Sequence, residues 1–333
     1  MAHLDGHSRP INYLRVSVTD RCNLRCQYCM PPEGIPWIPH DTVLRYEEIA
    51  LVVRAAAELG ISHVRLTGGE PLVRLGMPDL VRMLADIPGI EDIAMTTNGI
   101  LLPRYAGDLA AAGLDRVNVS LDTLRPERFR SITRGGRLED VLAGIAAAHR
   151  AGLEPVKINT VVMRGTNDDE VVDLARRTRE PGWNVRFIEW MPVGTTAPDD
   201  GAWRDTVVTA GEMRQKIQLA LGDLEPAQGE AGPGNGPARY YRLPGAKGTI
   251  GFITPVSDHF CYHCNRLRLT ADGQLRPCLL SDREIDLRTP LRQGADLAQI
   301  KVLVLQAIES KPLQHHLSEY GRPENRVMSQ IGG

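Results

Sequence analysis

From residue 12 to residue 190, short β-branched and apolar runs alternate with longer Ala- and Leu-rich stretches. Strands are predicted near 13–18, 62–67, 91–96, 115–121, 155–162 and 184–190. Between them, YEEIALVVRAAAELG (46–60), PDLVRMLADI (78–87) and LEDVLAGIAAAHRAG (138–152) carry apolar residues at helical spacing. Gly60, Gly113 and Gly152 follow helical runs, where a glycine closes the helix by adopting a positive φ. Strand, helix and strand at this spacing build βαβ units and a parallel sheet. Six such units make either an open doubly wound sheet or most of a barrel.

Alternation within the strands separates these two. A parallel strand covered by helices on both faces is apolar throughout. Here Leu14, Val16 and Val18 alternate with Arg15, Ser17 and Thr19, and Val64 and Leu66 with Arg65 and Thr67. Met95 adjoins Thr96; Val117, Val119 and Leu121 alternate with Asn118 and Ser120; Val156 and Ile158 with Lys157 and Asn159. One face is therefore apolar and must meet helices, while the other is polar across five consecutive strands. Because βαβ crossovers rarely leave a face bare, the pattern predicts an α/β fold whose polar face lines a barrel around a polar ligand. Arg15, Arg65 and Lys157 on that face call for an anionic ligand, since a buried cation needs a partner.

After residue 191 the rhythm degrades. Residues 222–248 are rich in Gly and Pro and read as a loop or linker between 1–221 and 249–333. A hairpin is predicted over LRLTADGQLRPCL (267–279), turning at Asp272-Gly273, and a last helix over about 295–309. The 39 basic and 41 acidic residues give a net charge of −2, with no basic excess to favour nucleic acid. No apolar run approaches the roughly 18 residues of a membrane span, and the N-terminus lacks a charged-then-apolar secretory pattern. A cytoplasmic location is expected. Only 5 of the 39 basic residues are Lys, so a lysine in an unusual place stands out.

The six cysteines fall in two windows, 22–29 and 261–278. In a reducing compartment such clusters read as metal or redox sites rather than disulfides. Cys22-x3-Cys26-x2-Cys29 directly follows the first strand, at the end where α/β barrels build active sites. Three thiolates can enter a tetrahedral zinc site or hold three irons of a [4Fe–4S] cube; zinc wants a fourth ligand, and no further Cys or His lies near in sequence. The cube leaves one iron open for an exogenous ligand. Cys261-x2-Cys264-x13-Cys278, with His259 and His263 beside it, suits a Cys3His zinc site as well as an iron–sulfur cluster.

RVSVTDRCNLRCQYCMP (15–31) followed by RLTGGEPL (65–72) resembles the radical S-adenosylmethionine enzymes. FCYHCNRLRLTADGQLRPCL, TTNG (96–99), VNVSLD (117–122), KINTVV (157–162), FIEWMPVG (187–194) and the terminal Gly332-Gly333 resemble, within that superfamily, the GTP 3',8-cyclases of molybdenum cofactor biosynthesis. The likeness runs from about residue 12 to 333. It implies an incomplete (β/α)6 TIM-like barrel whose mouth is closed by a C-terminal extension carrying a second cluster. It further implies two [4Fe–4S] clusters, one on Cys22, Cys26 and Cys29 and one on Cys261, Cys264 and Cys278. Tyr28, Gly69, Ser120 and Met191 match positions lining the S-adenosylmethionine site. Arg15, Arg65, Thr96, Lys157, Arg266 and Arg268 match positions assigned to GTP, and Gly332 and Gly333 form a tail that reaches toward the active site. Arg266 and Arg268, one residue apart in a predicted strand, would share a face and clamp a triphosphate.

The implied chemistry is reductive cleavage of S-adenosylmethionine to a 5'-deoxyadenosyl radical, abstraction of the ribose 3' hydrogen and closure onto guanine C8. Implied partners are GTP, an electron donor and a downstream cyclic pyranopterin monophosphate synthase, with no nucleic acid or membrane and a monomer or homodimer. Departures from the family pattern are a Gly/Pro-rich insert at 226–237 and Trp190. Rival readings are a peptide-modifying radical S-adenosylmethionine enzyme with an auxiliary cluster and a zinc-stabilised interaction protein.

Overall fold

The six predicted strands form and lie side by side in chain order. In the computed structural model, which describes residues 2–193, 203–227, 236–315, 317 and 325–332, they are β1 (Tyr13–Ser17), β2 (His63–Thr67), β3 (Asp92–Thr97), β4 (Arg116–Ser120), β5 (Lys157–Val162) and β6 (Asn184–Glu189). Each pairs in parallel with the next. The crossovers carry α1 (Tyr46–Glu58), α2 (Met77–Ala85), α3 (Leu102–Ala111), α4 (Pro126–Thr133), α5 (Leu138–Arg150) and α6 (Val171–Arg176). Gly60, Gly113 and Gly152 all take positive φ just past α1, α3 and α5, as their helix-closing role requires.

The strands' apolar face carries the core. Val16, Leu66, Met95, Val117, Val119, Ile158, Val185 and Phe187 are fully buried, packed with α1 residues Ile49, Val52, Val53 and Ala56 in one cluster. Burial of each large side chain contributes about 1.5–3 kcal/mol, so this layer supplies most of the drive to fold. After β6, helix α7 (Ala210–Leu221) starts on a capping box between Thr209 and Glu212 and packs on α6. The last long helix, α8 (Leu297–Glu309), starts on a similar box between Asp296 and Gln299 and packs on α1.

The C-terminal strands do more than the sequence pattern predicts. They are β7 (Glu225–Pro226), β8 (Arg239–Arg242), β9 (Ile250–Ile253), β10 (Arg266–Leu269), β11 (Gln274–Arg276) and β12 (Ile285–Asp286). The hairpin β10–β11 forms with its turn at Asp272-Gly273, Gly273 at φ +82°. Its first strand then pairs in parallel with β1, while β9 pairs in parallel with β6. One sheet of 12 strands results, ordered β12-β11-β10-β1-β2-β3-β4-β5-β6-β9-β8-β7. The phase of the side chains explains the docking. Leu267 and Leu269 pair with Leu14 and Val16, and Arg268 pairs with Arg15, so both the apolar and the polar face continue without a break. Most of the insert at 226–237 lies outside the described residues.

Two glycines lock α5 against the TTNG turn. A Cβ on Gly144 would stand 2.0 Å from the Gly99 carbonyl oxygen, closer than any contact tolerates. Gly144→Ala is therefore expected to destabilise the protein by about 3 kcal/mol through overpacking, read as a lowered midpoint in urea denaturation at unchanged slope.

Candidate active site

The polar face of the parallel strands, the loops after their carboxyl ends and the C-terminal segments around 261–268 and 277–280 enclose one cavity. The first cysteine group enters from the loop after β1. That loop is held by backbone bonds from Arg25 and Gln27 to Thr133 and Ile132 at the end of α4, at 3.0 and 2.9 Å. Arg134, in left-handed conformation, returns its guanidinium to the carbonyls of Arg25 and Met30. The Gly68-Gly69 pair fits directly beneath this loop. A Cβ on Gly68 would meet the Thr19 carbonyl at 2.5 Å, and one on Gly69 the Arg21 carbonyl at 2.4 Å. The Gly69 and Glu70 amides instead donate to those same carbonyls, at 2.7 and 2.8 Å. The paired glycines thus bring the GGEP turn against the cysteine loop's own backbone. Glu70 then accepts from Thr97 Oγ1 and the Asn98 amide at 2.7 Å each, tying in the end of β3.

Cys22, Cys26 and Cys29 all line the cavity, with Tyr28, Gly69, Ser120 and Met191. Tyr28 donates its hydroxyl proton to Asp122 at 2.8 Å. Burial pushes the Cys22 thiol up to about 11 and Cys29 to about 12. It also raises the carboxyls of Glu70 to about 7 and Asp122 to about 6.

Cys261, Cys264 and Cys278 line the same cavity from the opposite side. Cys261 and Cys264 bracket a 3-10 turn over Cys261–His263, and Cys278 follows β11. Of the two flanking histidines, His259 faces this cavity and His263 does not. Surroundings differ from those of the first group. Burial would raise the Cys264 thiol, but the positive charges of Arg266 and Lys311 outweigh it and draw it down to about 6. All six cysteines are free. Among the described residues no three His, Cys, Asp or Glu side chains are disposed as a single-ion site. Three thiols on each side, open to one space and held by ordered loops, are a donor set suited to iron–sulfur clusters.

Between the two groups runs the polar face of the sheet. Arg268, Arg15 and Arg65 are register partners on β10, β1 and β2, and with Arg266, Thr96 and Arg186 they line the cavity wall. Tyr13 accepts a hydrogen bond from Arg65 Nε. Arg65 Nη1 and Thr96 Oγ1 are buried with no hydrogen-bond partner among the described residues. Burial lowers Arg15 to about 10 against the pull of Tyr13, and Arg65, Arg266 and Arg186 lower it further. Burial, then Arg15 and Arg266, lower Arg268 as well. Guanidinium groups stay protonated in proteins, so the direction of these shifts marks a wall where burial and mutual repulsion leave positive charge short of a counter-charge. Lys157, at the start of β5, is not among the lining residues. It sits 2% exposed, 5.8 Å from the Tyr240 ring centroid. Burial together with Arg186, Arg116 and Arg65 brings it to about 6. Gly332, which ends α9 (Met328–Ile331), packs on Ser17 and Thr67, and its carbonyl accepts from Arg268 at 2.5 Å. Gly333 lies outside the described residues.

Sequence reading missed Arg186, Tyr13, Asp122 and Lys311. Arg186 was within reach, because Asn184, Arg186 and Ile188 alternate with Val185 and Phe187 in phase with the other strands.

The chain has counterparts among known proteins. Residues 16–178 match the Radical SAM superfamily model, and residues 183–317 match the model described as Molybdenum Cofactor Synthesis C. A GTP 3',8-cyclase of Pelotomaculum thermopropionicum is 56% identical over 330 residues, covering 99% of each chain. The chain belongs to the GTP 3',8-cyclase family. Another member, from Heliobacterium modesticaldum, is 56% identical over 336 residues, covering 99% of this chain and all of its own. Streptococcus suis SuiB bound to S-adenosylmethionine shares the fold at a TM-score of 0.57 and 15% identity, over 88% of this chain and 67% of its own. Membership of the radical S-adenosylmethionine superfamily brings with it S-adenosylmethionine and an iron–sulfur cluster. No helix among the described residues is long and apolar enough to cross a membrane.

The Lys157 ammonium has a measurable cost. Its value near 6 lies below the ordinary 10.5, so between those pH values the unfolded chain binds more protons than the folded one. Without ligand, stability should therefore rise with pH across that window. Lys157→Met should flatten the rise and stabilise the ligand-free protein at pH 7, measured by urea denaturation from pH 6.5 to 8.5.

Proposed function

We propose that this protein converts GTP to (8S)-3',8-cyclo-7,8-dihydroguanosine 5'-triphosphate, the first step of molybdenum cofactor biosynthesis. The observation that carries the reading is the single cavity bounded by two cysteine triads with an arginine wall between them. Cys22, Cys26 and Cys29 would hold the first [4Fe–4S] cluster, and Cys261, Cys264 and Cys278 the second. The six central strands are read as an incomplete (β/α)6 barrel within 1–221. Residues 249–333 close its mouth, and 222–248 serve as linker.

When bound, the first cluster and S-adenosylmethionine supply the 5'-deoxyadenosyl radical that removes the ribose 3' hydrogen. The chain's own part is to bind, orient and shield. Tyr28, Gly69, Ser120 and Met191 line the cavity together with the first triad and suit S-adenosylmethionine, with Tyr28 braced by Asp122. Arg15, Arg65, Arg266 and Arg268 meet a triphosphate with charge-assisted hydrogen bonds, and Thr96 offers a hydroxyl beside them. Lys157, from beneath, gains a proton as the anion arrives and so adds charge only when it is useful. Gripping the phosphates here, with the base toward the second triad, would fix the ribose between the two, which is a proximity effect. The Gly332 carbonyl on Arg268 supports a tail that reaches this wall, with Gly333 next in line. An electron donor is required, and the product suits a cyclic pyranopterin monophosphate synthase as the next enzyme. We read the enzyme as cytoplasmic and as a monomer or homodimer.

Anaerobically reconstituted protein should release 5'-deoxyadenosine in a GTP-dependent manner together with the cyclised nucleotide. Cys22→Ala should abolish both. Arg15→Met should lower kcat/KM for GTP about 10- to 100-fold, the loss of a hydrogen bond to a charged group, with the change chiefly in KM. Formation of 5'-deoxyadenosine that ignores GTP would sink the substrate assignment and leave the radical chemistry standing.

A further inference from the structure

Lys311 follows α8 and is 3% exposed. Its Nζ donates to the carbonyl oxygens of Arg266 and Pro277, at 2.7 Å each. Arg266 stands two residues past Cys264, and Pro277 immediately precedes Cys278. The ammonium therefore laces together the two segments that present those thiols. Beside it, the carbonyls of Pro312 and Leu313 accept from the Arg9 guanidinium, which also donates to the Cys261 carbonyl at 2.7 Å. Residues 311–313 are thus tied by buried cations to all three cysteine positions of the second triad.

The two cations differ in one respect. Arg9 is neutralised by Asp5 at 2.6 Å, whereas among the described residues no carboxylate pairs with Lys311. Two carbonyls satisfy two of its three N–H donors but cancel none of its charge, and a buried charge without a counter-charge is costly. Lys311 lines the cavity with Cys261, Cys264 and Cys278, whose thiolates are the groups that can answer it. Beside the first triad the carboxyls of Glu70 and Asp122 act on Cys22 and Cys26 in the opposite sense, offset at Cys22 by Arg25.

We propose that Lys311 is a positioning residue for the second cluster, bracing its ligand segments and raising its reduction potential through an unneutralised charge. This rests on reading the triads as [4Fe–4S] sites. One-electron reduction adds negative charge to a cluster already made anionic by its thiolates, and a fixed cation beside it favours the reduced form. At the first triad the Glu70 and Asp122 carboxyls work against that effect.

The test is an anaerobic redox titration of the full-length holoenzyme with dithionite, each cluster taking up one electron and followed by EPR. Cys261→Ala identifies the second cluster's signal. Lys311→Gln keeps an amide donor for the carbonyls but no charge, and its second-cluster midpoint should fall while the first stays fixed. Lys311→Arg should hold both midpoints near wild type. Unchanged midpoints in Lys311→Gln at full iron would overturn the proposal. If Lys311→Gln loses half its iron, Lys311→Arg must restore both iron and midpoint, and its failure to do so also counts against the proposal. Wild-type protein holding well under about eight irons would fail the two-cluster reading before any variant is compared, so the two failures are told apart.

Discussion

Cations crowded into a desolvated interior repel one another, and this sheet gathers Arg15, Arg65, Arg116, Arg186 and Arg268 on one face. Asp92 takes the Arg116 guanidinium, but the others share their wall with Tyr13, Tyr240 and one another. At an effective dielectric of about 20, two like charges about 4 Å apart repel by about 4 kcal/mol. Such a face is tolerable only if the opposite face is dense with apolar packing and if an anion can enter. Both conditions are met: the helical layer buries an uninterrupted apolar cluster, and the polar face opens into the cavity. A fold with this much internal repulsion gains stability when its ligand arrives, so binding and folding share one source of free energy.

The thiol groups at either side of that wall are held by different means. The first rides on a loop seated against the Gly68-Gly69 backbone, which leaves no space for a side chain beneath Thr19 and Arg21, and the Arg25 and Arg134 guanidiniums brace its carbonyls. The second is held by long side chains from distant parts of the chain, Arg9 and Lys311, each donating to carbonyls next to a cysteine. A site assembled from remote segments needs buried donors to join it, and these bring positive charge. The thiol groups thereby meet unlike neighbours, the carboxyls of Glu70 and Asp122 beside the first and the Lys311 ammonium beside the second.

The six central strands and the four helices picked out by periodicity were legible within two residues of their bounds, and the β10–β11 hairpin within three. All of these are set by local alternation and spacing, which any short window displays. Arg15, Arg65 and the first cysteine group were legible for the same reason, because strand phase and motif spacing are local. Gly69 could be singled out through the family resemblance, while its close fit against the Arg21 carbonyl shows only in the folded chain.

What no window contains is which edge of the sheet a strand will choose. That β10 docks on β1 and sets Arg268 beside Arg15 follows from matching phases in segments about 250 residues apart. Likewise, Lys311 was conspicuous only as a scarce lysine until the fold set it between Arg266 and Pro277. The sequence by itself determined the elements, the polar stripe and the six thiols, because periodicity and spacing are written along the chain. Tertiary structure alone decided that the two thiol groups face each other across one arginine wall, because shared burial and charge arise only when distant segments meet.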